Sequence, residues 1–376
     1  MCGGGDLRST DVRDRARVPD LNAEPGRLRR HHYTDLAWYD VETEHAFRGG
    51  WLPVCRVDQV AHPGDRYAVD LAGRPLVVTR AGDGTVRVLG NVCQHRGALI
   101  AEDGCSRGAS LICPYHRWSY RADGSLIGGP LTDGVDLSDV RLPVLRHAVW
   151  EGFVLVNLSG DAPDPVEQLS GLSRQLAPWS WSELVTVGSM QYRSDWNWKV
   201  MVENWIECYH HLGSHRRTVE PYQPAHTTSV VPDEGAPWVA MTVDSVPGLE
   251  GDPGTWLPGV TPARARHLSV WAAFPLLLGG SNSRYAFWLH VVPVDVVHHE
   301  VTWHILAHPS RVEHFTDDWV RRELDTLAVV HAEDMHACRS VQRGIASGMI
   351  DEFRLTRLEA PIASFHRWLL DRCGTP

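Results

Sequence analysis

Three cysteines and two histidines lie close together in the sequence, between Cys93 and His116. Cys93 and His95 are two residues apart, Cys113 and His116 are three residues apart, and Cys105 lies between the two pairs. Pairs of Cys and His on two separate loops suit one compact metal centre, because each loop presents two ligands from a tight turn. The spacing therefore predicts a metal centre.

Two kinds of centre fit two Cys and two His ligands. One is a structural zinc site, but zinc fingers place both His together on a helix. Here each loop carries one Cys and one His, and runs typical of strands flank the loops. A Rieske [2Fe–2S] cluster requires this distribution, with two Cys on one iron and two His on the other. The sequence favours the Rieske cluster, with zinc as the alternative.

A second group of possible metal ligands lies in residues 197–217, which contain three histidines and two glutamates. On a regular helix His211 and His215 share a face, because they are four residues apart. His210 and His215 are five apart and would point about 140° from each other. They can share a metal only if the helix breaks between them, and the segment Leu-Gly-Ser at 212–214 can supply that break. The pattern alone favours the pair of His211 and His215.

The elements that must position these residues fall into two parts. Residues 50–160 contain short runs typical of strands, separated by turns with Gly, Asp and Pro, and predict a small antiparallel β domain. The segment 159–168 contains Pro and Asp and predicts a linker. Beyond it the pattern predicts these elements: helix at 193–217, strands at 267–278, 284–294 and 300–308, and helices at 313–346 and 361–372. The predicted fold class is α+β.

Length and charge limit the classes of partner. The chain has 376 residues, 43% of them hydrophobic, which allows two ordinary domains. A net charge of −10 gives no electrostatic case for nucleic acid or an anionic membrane. The sequence has no run of about 18 apolar residues and no apolar signal-peptide core at its N-terminus. We therefore expect a soluble, cytoplasmic protein with small-molecule or protein partners.

The segments CQHRG and CPYHRWSY resemble the two cluster loops of Rieske non-haem iron oxygenases. The resemblance implies four cluster ligands, two Cys on the inner iron and two His on the outer iron: Cys93, Cys113, His95 and His116. Cys105 then has no ligand role. Arg117 departs from the family pattern, in which many members have Gly after the second His, and its side chain should perturb the rim of the cluster.

The mononuclear iron motif of the same family also has a counterpart in this sequence. It falls on Asn204, Glu207, Tyr209, His210 and His215. The resemblance therefore implies His210 and His215, rather than His211, as iron ligands. Iron of this kind needs two His and one carboxylate. The segment 331–344 resembles the family's distal ligand segment, which implies Asp334 as the third ligand, with Glu333 as the alternative.

The resemblance also implies an assembly and a source of electrons. Members of the family form head-to-tail homotrimers, in which the cluster of one subunit serves the iron of the next. It implies that Glu207, together with Asn204, belongs to the catalytic machinery, and that Glu207 links His210 to the partner's His116. The sequence has no evident nicotinamide or flavin motif. We expect a separate NAD(P)H-dependent reductase, with or without a ferredoxin, and O2 as the oxidant.

The substrate is less well defined by the sequence. Glu at position 207 and the segment from Cys338 to Gln342 are similar to the family branch that oxidises choline, betaines and carnitine. A cation of this kind would lie over aromatic faces. The candidate pocket residues are aromatic side chains on the predicted strands: Trp271, Phe274, Tyr285, Trp288 and Trp303. An aromatic or natural-product substrate is the alternative, and a non-catalytic Rieske electron carrier is the alternative of another class.

The resemblance covers roughly residues 35–372 and implies a domain organisation. We expect a small antiparallel β Rieske domain and a catalytic domain with an antiparallel sheet flanked by helices. The expected boundaries are a mobile tail at 1–32, a helical segment at 33–48 packing on the catalytic domain, the Rieske domain at 49–160 and the mononuclear iron domain at 161–376.

Overall fold

The computed structural model describes residues 26–232 and 235–374. Within them, every pairing between strands is antiparallel, and helices pack against the largest sheet. The predicted α+β class is therefore confirmed. Most of the expected N-terminal tail lies outside the described residues.

The first half of the chain forms three small sheets. Their strands are β1 Leu52–Arg56, β2 Asp65–Leu71, β3 Arg74–Arg80, β4 Val86–Gly90, β5 Gly104–Arg107, β6 Leu111–Ile112, β7 Ser119–Tyr120, β8 Leu126–Gly128, β9 Arg146–Trp150 and β10 Phe153–Asn157. The sheet orders are β1-β10-β9, β4-β3-β2-β5 and β6-β7-β8. Leu52 pairs with Val156, so the two ends of this β-rich region lie side by side.

The second half of the chain is built around one seven-stranded sheet in the order β11-β17-β16-β15-β14-β13-β12. Its strands are β11 Val185–Ser194, β12 Ser229–Val231, β13 Trp238–Asp244, β14 His267–Ala273, β15 Leu277–Ser281, β16 Ala286–Pro293 and β17 His299–Ala307. The α-helices of the described residues are α1 Arg30–Thr34, α2 Leu36–Glu42, α3 Pro165–Gln168, α4 Ser170–Leu176, α5 Trp198–Trp205, α6 Asp317–Ala346 and α7 Ala360–Cys373. None of the helices in the described residues is long and apolar enough to cross a membrane.

The large sheet is covered on both faces, which explains why its central strands are almost continuously apolar. Successive side chains of β16 point to opposite faces. Phe287 packs against Trp205 of α5, with ring centroids 5.9 Å apart. Trp288 packs on the other side against Phe153 of the β-rich region, at 5.1 Å. The same sheet therefore supports the helices on one face and joins the two halves of the chain on the other.

The N-terminal helices pack on the second half of the chain. Leu28 is fully buried, and its backbone N–H donates to the imidazole of His366 in α7. Lys199 and Glu42 form an ion pair at 2.7 Å, and both side chains are inaccessible to solvent. Leu28 is part of the hydrophobic core. The chain therefore packs on this second half before residue 33, where the helical segment was expected to begin.

Some helix and strand boundaries differ from the prediction. The expected helix at 193–217 is instead the end of β11, the short helix α5 and turns. The side chain of Glu207 accepts hydrogen bonds from the backbone N–H groups of Tyr209 and His210, which competes with continuation of the helix. The expected strand at 267–278 is two strands, β14 and β15, because the chain turns at Pro275.

Candidate metal centres and active site

The two Cys and His loops lie next to each other in the β-rich region. Cys93 and Cys113 are each only 2% exposed, whereas His95 and His116 are exposed. The rings of the two histidines are 4.7 Å apart between centroids. The structure therefore places the two histidines side by side at the surface and the two cysteines in one buried cluster beneath the loops.

Each of the two loops is closed by the same backbone turn. The N–H of Gly97 donates to the carbonyl of Cys93, and the N–H of Arg117 donates to the carbonyl of Cys113. Gly97 and Arg117 both have left-handed backbones, with φ of 75° and 64°. Such a backbone is easy for Gly and costly for Arg. The departure at Arg117 therefore affects the backbone of the loop.

Two aromatic side chains contact residues of the first loop. The hydroxyl of Tyr120 lies 3.2 Å from Sγ of Cys93 and accepts a hydrogen bond from the N–H of Gln94. Trp118 stacks on His95, with centroids 4.7 Å apart and planes 8° apart. These contacts fix one sulfur and one imidazole, and the set of two buried thiols and two exposed imidazoles fits a Rieske cluster. Cys105 lies on β5, outside both loops.

A second group of metal-ligating side chains lies between α6 and the turns that follow α5. Ligand atoms of His210, His215 and Asp334 all lie within 4.8 Å of one another. Oδ1 of Asp334 is 2.8 Å from Nε2 of His215 and 3.6 Å from Nε2 of His210. Two imidazoles and one carboxylate on one side of a cavity form the donor set that suits non-haem Fe(II).

Glu333 and Asp334 contact opposite sides of the same imidazole. Oε2 of Glu333 lies 2.8 Å from Nδ1 of His215, whereas Asp334 faces Nε2. The hydroxyl of Thr218 donates to the same Glu333 oxygen, at 2.5 Å. Glu333 thus lies on the far side of the ring from the group of ligand atoms and can fix the orientation and tautomer of His215.

Glu207 occupies the equivalent position on the other histidine. Its Oε1 lies 2.5 Å from Nδ1 of His210, and its Oε2 accepts the backbone N–H of His210 at 3.0 Å. The Glu207 side chain is mostly buried. Each of the two imidazoles therefore has its own carboxylate partner, and neither partner lies among the grouped ligand atoms.

His211 is the ligand that helical spacing suggested in place of His210, but it is not among the grouped ligand atoms. Its Nδ1 lies 3.1 Å from the carbonyl oxygen of Gln223, and the ring is buried. Burial, together with the nearby His210, lowers the pKa of His211 to about 3. The spacing of His211 and His215 suits a helix, but the chain here forms turns, so the helical argument does not apply.

The charge states of the grouped residues follow from their contacts. Burial disfavours the charged form of both His215 and Asp334. The hydrogen bond and opposite charge between them outweigh burial, so the pKa of His215 is raised and that of Asp334 is lowered. The carboxylate of Asp334 is therefore held in its anionic form.

A cavity of about 400 Å³ opens beside the grouped ligands. Its polar residues include Asn204, Glu207, Thr218 and Gln223, and Asp334 lies on its wall. Aromatic side chains form much of the remaining wall: Trp205, Tyr222, Tyr285, Phe287 and Trp303. A mostly apolar cavity with a few polar groups is the usual form of a small-molecule site.

The expected pocket residues divide between this cavity and other places. Tyr285 and Trp303 line it. Trp271 and Trp288 do not, because they point to the opposite face of the sheet and pack near Phe153. Phe274 also lies elsewhere, against Phe365 and Trp368 of α7.

Sequence reasoning missed several residues of the cavity. Phe287 is adjacent to Trp288, so the alternation of side chains along β16 would have identified it once the inner face was known. Trp205 lies within the iron motif, but the motif assigns no role to this position. Glu323 lines the cavity from α6 and belongs to no motif that could have identified it from the sequence.

Comparisons with known proteins support these features. Residues 50–143 match the Rieske [2Fe-2S] domain family. Residues 181–375 match the family described as ring hydroxylating alpha subunit (catalytic domain). The first match includes both Cys and His loops, and the second includes His210, His215 and Asp334.

Individual relatives extend the similarity over most of the chain. Choline monooxygenase, chloroplastic, from Arabidopsis thaliana is 27% identical over 351 residues, 89% of this chain and 80% of that protein. The glycine betaine monooxygenase oxygenase subunit from Chromohalobacter salexigens is 30% identical over 185 residues, 49% of this chain and 42% of that protein. The bacterial alignment therefore spans less than half of either protein.

The fold is also that of a solved structure. The crystal structure of the quaternary ammonium Rieske monooxygenase CntA with an inhibitor matches at a TM-score of 0.80, with 21% identity, over 92% of this chain and 95% of that chain. At this identity the similarity shows the fold alone. Taken with the two family matches, it shows that the chain is a Rieske oxygenase of the ring hydroxylating alpha subunit family, with a Rieske [2Fe–2S] domain and the catalytic domain of mononuclear iron oxygenases.

Proposed function

We propose that this chain is an oxygenase subunit that hydroxylates or oxidatively N-demethylates a small substrate with a quaternary ammonium or N-methyl group. The observation that carries the proposal is the group of two imidazoles and one carboxylate beside an aromatic-walled cavity. When bound, the cluster supplies single electrons and the mononuclear iron activates O2. O2 and electrons from outside the chain are the co-reactants.

We assign the roles of the site residues from these contacts. Cys93, Cys113, His95 and His116 would hold the cluster, and His210, His215 and Asp334 would hold the iron. Glu207 and Glu333 keep the two iron-binding imidazoles oriented through their Nδ1 atoms. Asn204 is placed on the cavity wall and can hydrogen-bond a ligand there. We also assign residues 49–160 to the Rieske domain and 161–376 to the catalytic domain.

The aromatic wall supports a cationic substrate. Phe287 and Trp303 are stacked with centroids 5.9 Å apart, and Trp205 meets both rings edge-on at 5.9 and 5.6 Å. A positive nitrogen over such faces is attracted by the ring quadrupoles, by about 2 kcal/mol when desolvated. The names of the similar proteins point the same way, since they refer to choline, glycine betaine and quaternary ammonium compounds.

The substrate class is tested with a matched pair of compounds. Choline and its uncharged isostere 3,3-dimethylbutan-1-ol are supplied to the metal-loaded enzyme with O2 and a reductase. We expect electron consumption coupled to product with choline, and at least about tenfold weaker coupling with the isostere. Coupling confined to uncharged aromatic compounds would contradict the proposal and favour a hydroxylase or dioxygenase of aromatic substrates.

Metal analysis separates the enzyme from a simple electron carrier. An oxygenase should contain about three irons and two acid-labile sulfides per chain, because the cluster and the mononuclear site are both filled. Asp334→Asn should lose about one iron while retaining the sulfide. A chain with two irons that Asp334→Asn leaves unchanged would be an electron-transfer protein, and zinc without sulfide would contradict the cluster assignment.

We further propose a head-to-tail homotrimer served by a separate NAD(P)H-dependent reductase, with or without a ferredoxin. The exposed imidazole of His116 is available to a neighbouring subunit. Glu207 lies beside His210, where it can accept a hydrogen bond from the partner's His116 as well. Glu207→Ala should retain the cluster and lose turnover, and rapid reoxidation of the reduced cluster in this variant would contradict the bridge.

A further inference from the structure

One face of α6 runs along the cavity from end to end. It presents five side chains at helical spacing: Glu323, Thr326, Leu327, Val330 and Asp334. Asp334 belongs to the group of metal-ligating residues, and Glu323 precedes it by eleven positions. At 1.5 Å per residue, the two carboxylates are anchored about 16 Å apart along the helix axis. The cavity therefore has a carboxylate at each end of this row.

The distal carboxylate is held in place by a tyrosine. The hydroxyl of Tyr285 donates a hydrogen bond to Oε1 of Glu323. Tyr285 is only 5% exposed and packs edge-on against Trp319 and Phe315, with ring centroids 5.5 and 6.5 Å away. Glu323 is therefore an oriented acceptor on the cavity wall. Its second carboxylate oxygen, Oε2, has no hydrogen-bond partner among the described residues and is left for a ligand in the cavity.

The region between the two ends is apolar. Tyr285 and Phe287 are 6.1 Å apart between centroids, and Phe287 continues to the ring of Trp303. Leu268, Val270, Leu327 and Val330 line the same region. A ligand that reaches from the metal-ligating group to Glu323 must have an apolar middle, because few polar groups there could pair with polar atoms.

The charges of the cavity disfavour an anionic ligand. Among the described residues that line it there is no Lys or Arg, whereas Glu207, Glu323 and Asp334 are acidic. Arg284, the neighbour of Tyr285 in sequence, packs its side chain against Gly251, and Arg321, two residues before Glu323, pairs with Asp318; neither lines the cavity. A substrate carboxylate near Glu323 would face a like charge, and no Lys or Arg among the described residues that line the cavity could pair with it there.

We propose that Glu323, positioned by Tyr285, selects the substrate by its end remote from the oxidised carbon. The substrate is elongated, with an N-methylated nitrogen at the metal end, an apolar middle and a protonated amine at Glu323, and it has no carboxylate at that end. This inference rests on the proposed function and names the substrate class of the same cavity.

Three probes of equal length test the selection: (5-aminopentyl)trimethylammonium, hexyltrimethylammonium and 6-(trimethylammonio)hexanoate. Their affinities for the metal-loaded full chain are measured by calorimetry without O2. We expect the amine to bind best and the carboxylate worst, with at least about a tenfold difference between these two, because a hydrogen bond to a charged group is lost and repulsion is added. Equal affinity, or preference for the carboxylate in the wild-type protein, would overturn the proposal.

Two variants test whether Glu323 causes the difference in affinity between the amine and carboxylate probes. Glu323→Gln should bring the amine and carboxylate probes within about threefold of each other and leave the affinity of hexyltrimethylammonium unchanged. Asp325→Asn is the matched control, because Asp325 is exposed on the same helix and does not line the cavity, and it should retain the wild-type ranking. An unchanged ranking in Glu323→Gln would overturn the role of Glu323. Failure of the proposed function is distinct, since then no cationic probe would be oxidised by any variant.

Discussion

At the scale of single residues, neighbouring carboxylates make different contacts because their oxygens point in different directions. Glu333 and Asp334 are adjacent in sequence, yet they face opposite nitrogens of His215. The sequence could suggest that one of the pair is a ligand but could not separate them by chemistry, because both are carboxylates in one helix. Only the direction of each side chain from α6 distinguishes them.

The first prediction concerns Glu333. In Glu333→Gln, the amide still reaches Nδ1 of His215 but no longer favours the same tautomer, so iron affinity should fall by about 10- to 100-fold. Iron content after dialysis against a chelator measures the effect, and the cluster absorption should be unchanged. Glu313→Gln, at an exposed glutamate outside the cavity, is the control. Unchanged iron retention in Glu333→Gln would show that the contact does not orient the ligand.

The second prediction concerns the backbone of the second cluster loop. Arg117 adopts a left-handed conformation that costs an L-residue roughly 1 kcal/mol. Arg117→Gly should therefore raise the temperature at which the cluster absorption is lost. Arg96→Gly is the control, because Arg96 also follows a loop histidine but has no positive φ in the described backbone. If both variants shift the transition equally, backbone relief is not the cause.

At the scale of elements, the position of α5 depends on contacts that the sequence did not reveal. The helix begins at Trp198, capped by Asn197, whose backbone N–H donates to Gln342 of α6 at 3.0 Å. On its other side, Glu203 accepts a hydrogen bond from Tyr33 of α1 at 2.5 Å. The motif residues beyond α5 are thus placed by two distant segments. Local pattern could identify those residues but not the end of the helix, because Glu207 ends it through its own side chain.

The third prediction concerns the buried ion pair that joins α2 to α5. Burial lowers the pKa of Lys199 and raises that of Glu42, and the mutual attraction of the charges opposes both shifts. Lys199→Met should cost about 3–5 kcal/mol of stability, because Glu42 would remain buried without a cation. The double variant Lys199→Met with Glu42→Gln should recover part of this loss. Denaturant unfolding measures both, and equal losses in the single and double variants would contradict the explanation.

At the scale of the whole molecule, the fold class and the residues that could form the two metal centres were predictable, whereas the cavity was predictable only in part, through Tyr285 and Trp303. Ligand types and spacing are local in sequence, so the loops around Cys93 and Cys113 and the motif at His210 carried strong signals. The cavity wall comes from α5 and the turns that follow it, β14, β16, β17 and α6, and residues such as Glu323 reach it only through the packing of these elements. The face of each strand was decided by tertiary packing, which is why Trp288 was predicted on the wrong side.

The fourth prediction tests the proposed trimer. One variant, Cys93→Ser, should lose the cluster, and another, Asp334→Asn, should lose the mononuclear iron, and each should be inactive alone. Co-expressed subunits that assemble randomly into head-to-tail trimers should recover about a quarter of wild-type activity, since some intact clusters then meet an intact iron site on the next subunit. Activity that stays at zero in mixed trimers would show that electrons remain within one chain.

The pairing of β1 with β10 has a consequence for engineering. The chain enters the β-rich region with β1 at residue 52 and leaves it with β10 beside that point, where Leu52 and Val156 are opposite each other. A region whose entry and exit are adjacent can be removed or replaced without rethreading the rest of the fold. The cluster-bearing region should therefore behave as an exchangeable cassette, and a Rieske domain from another oxygenase could be grafted between these two strands to change which electron donor the enzyme accepts.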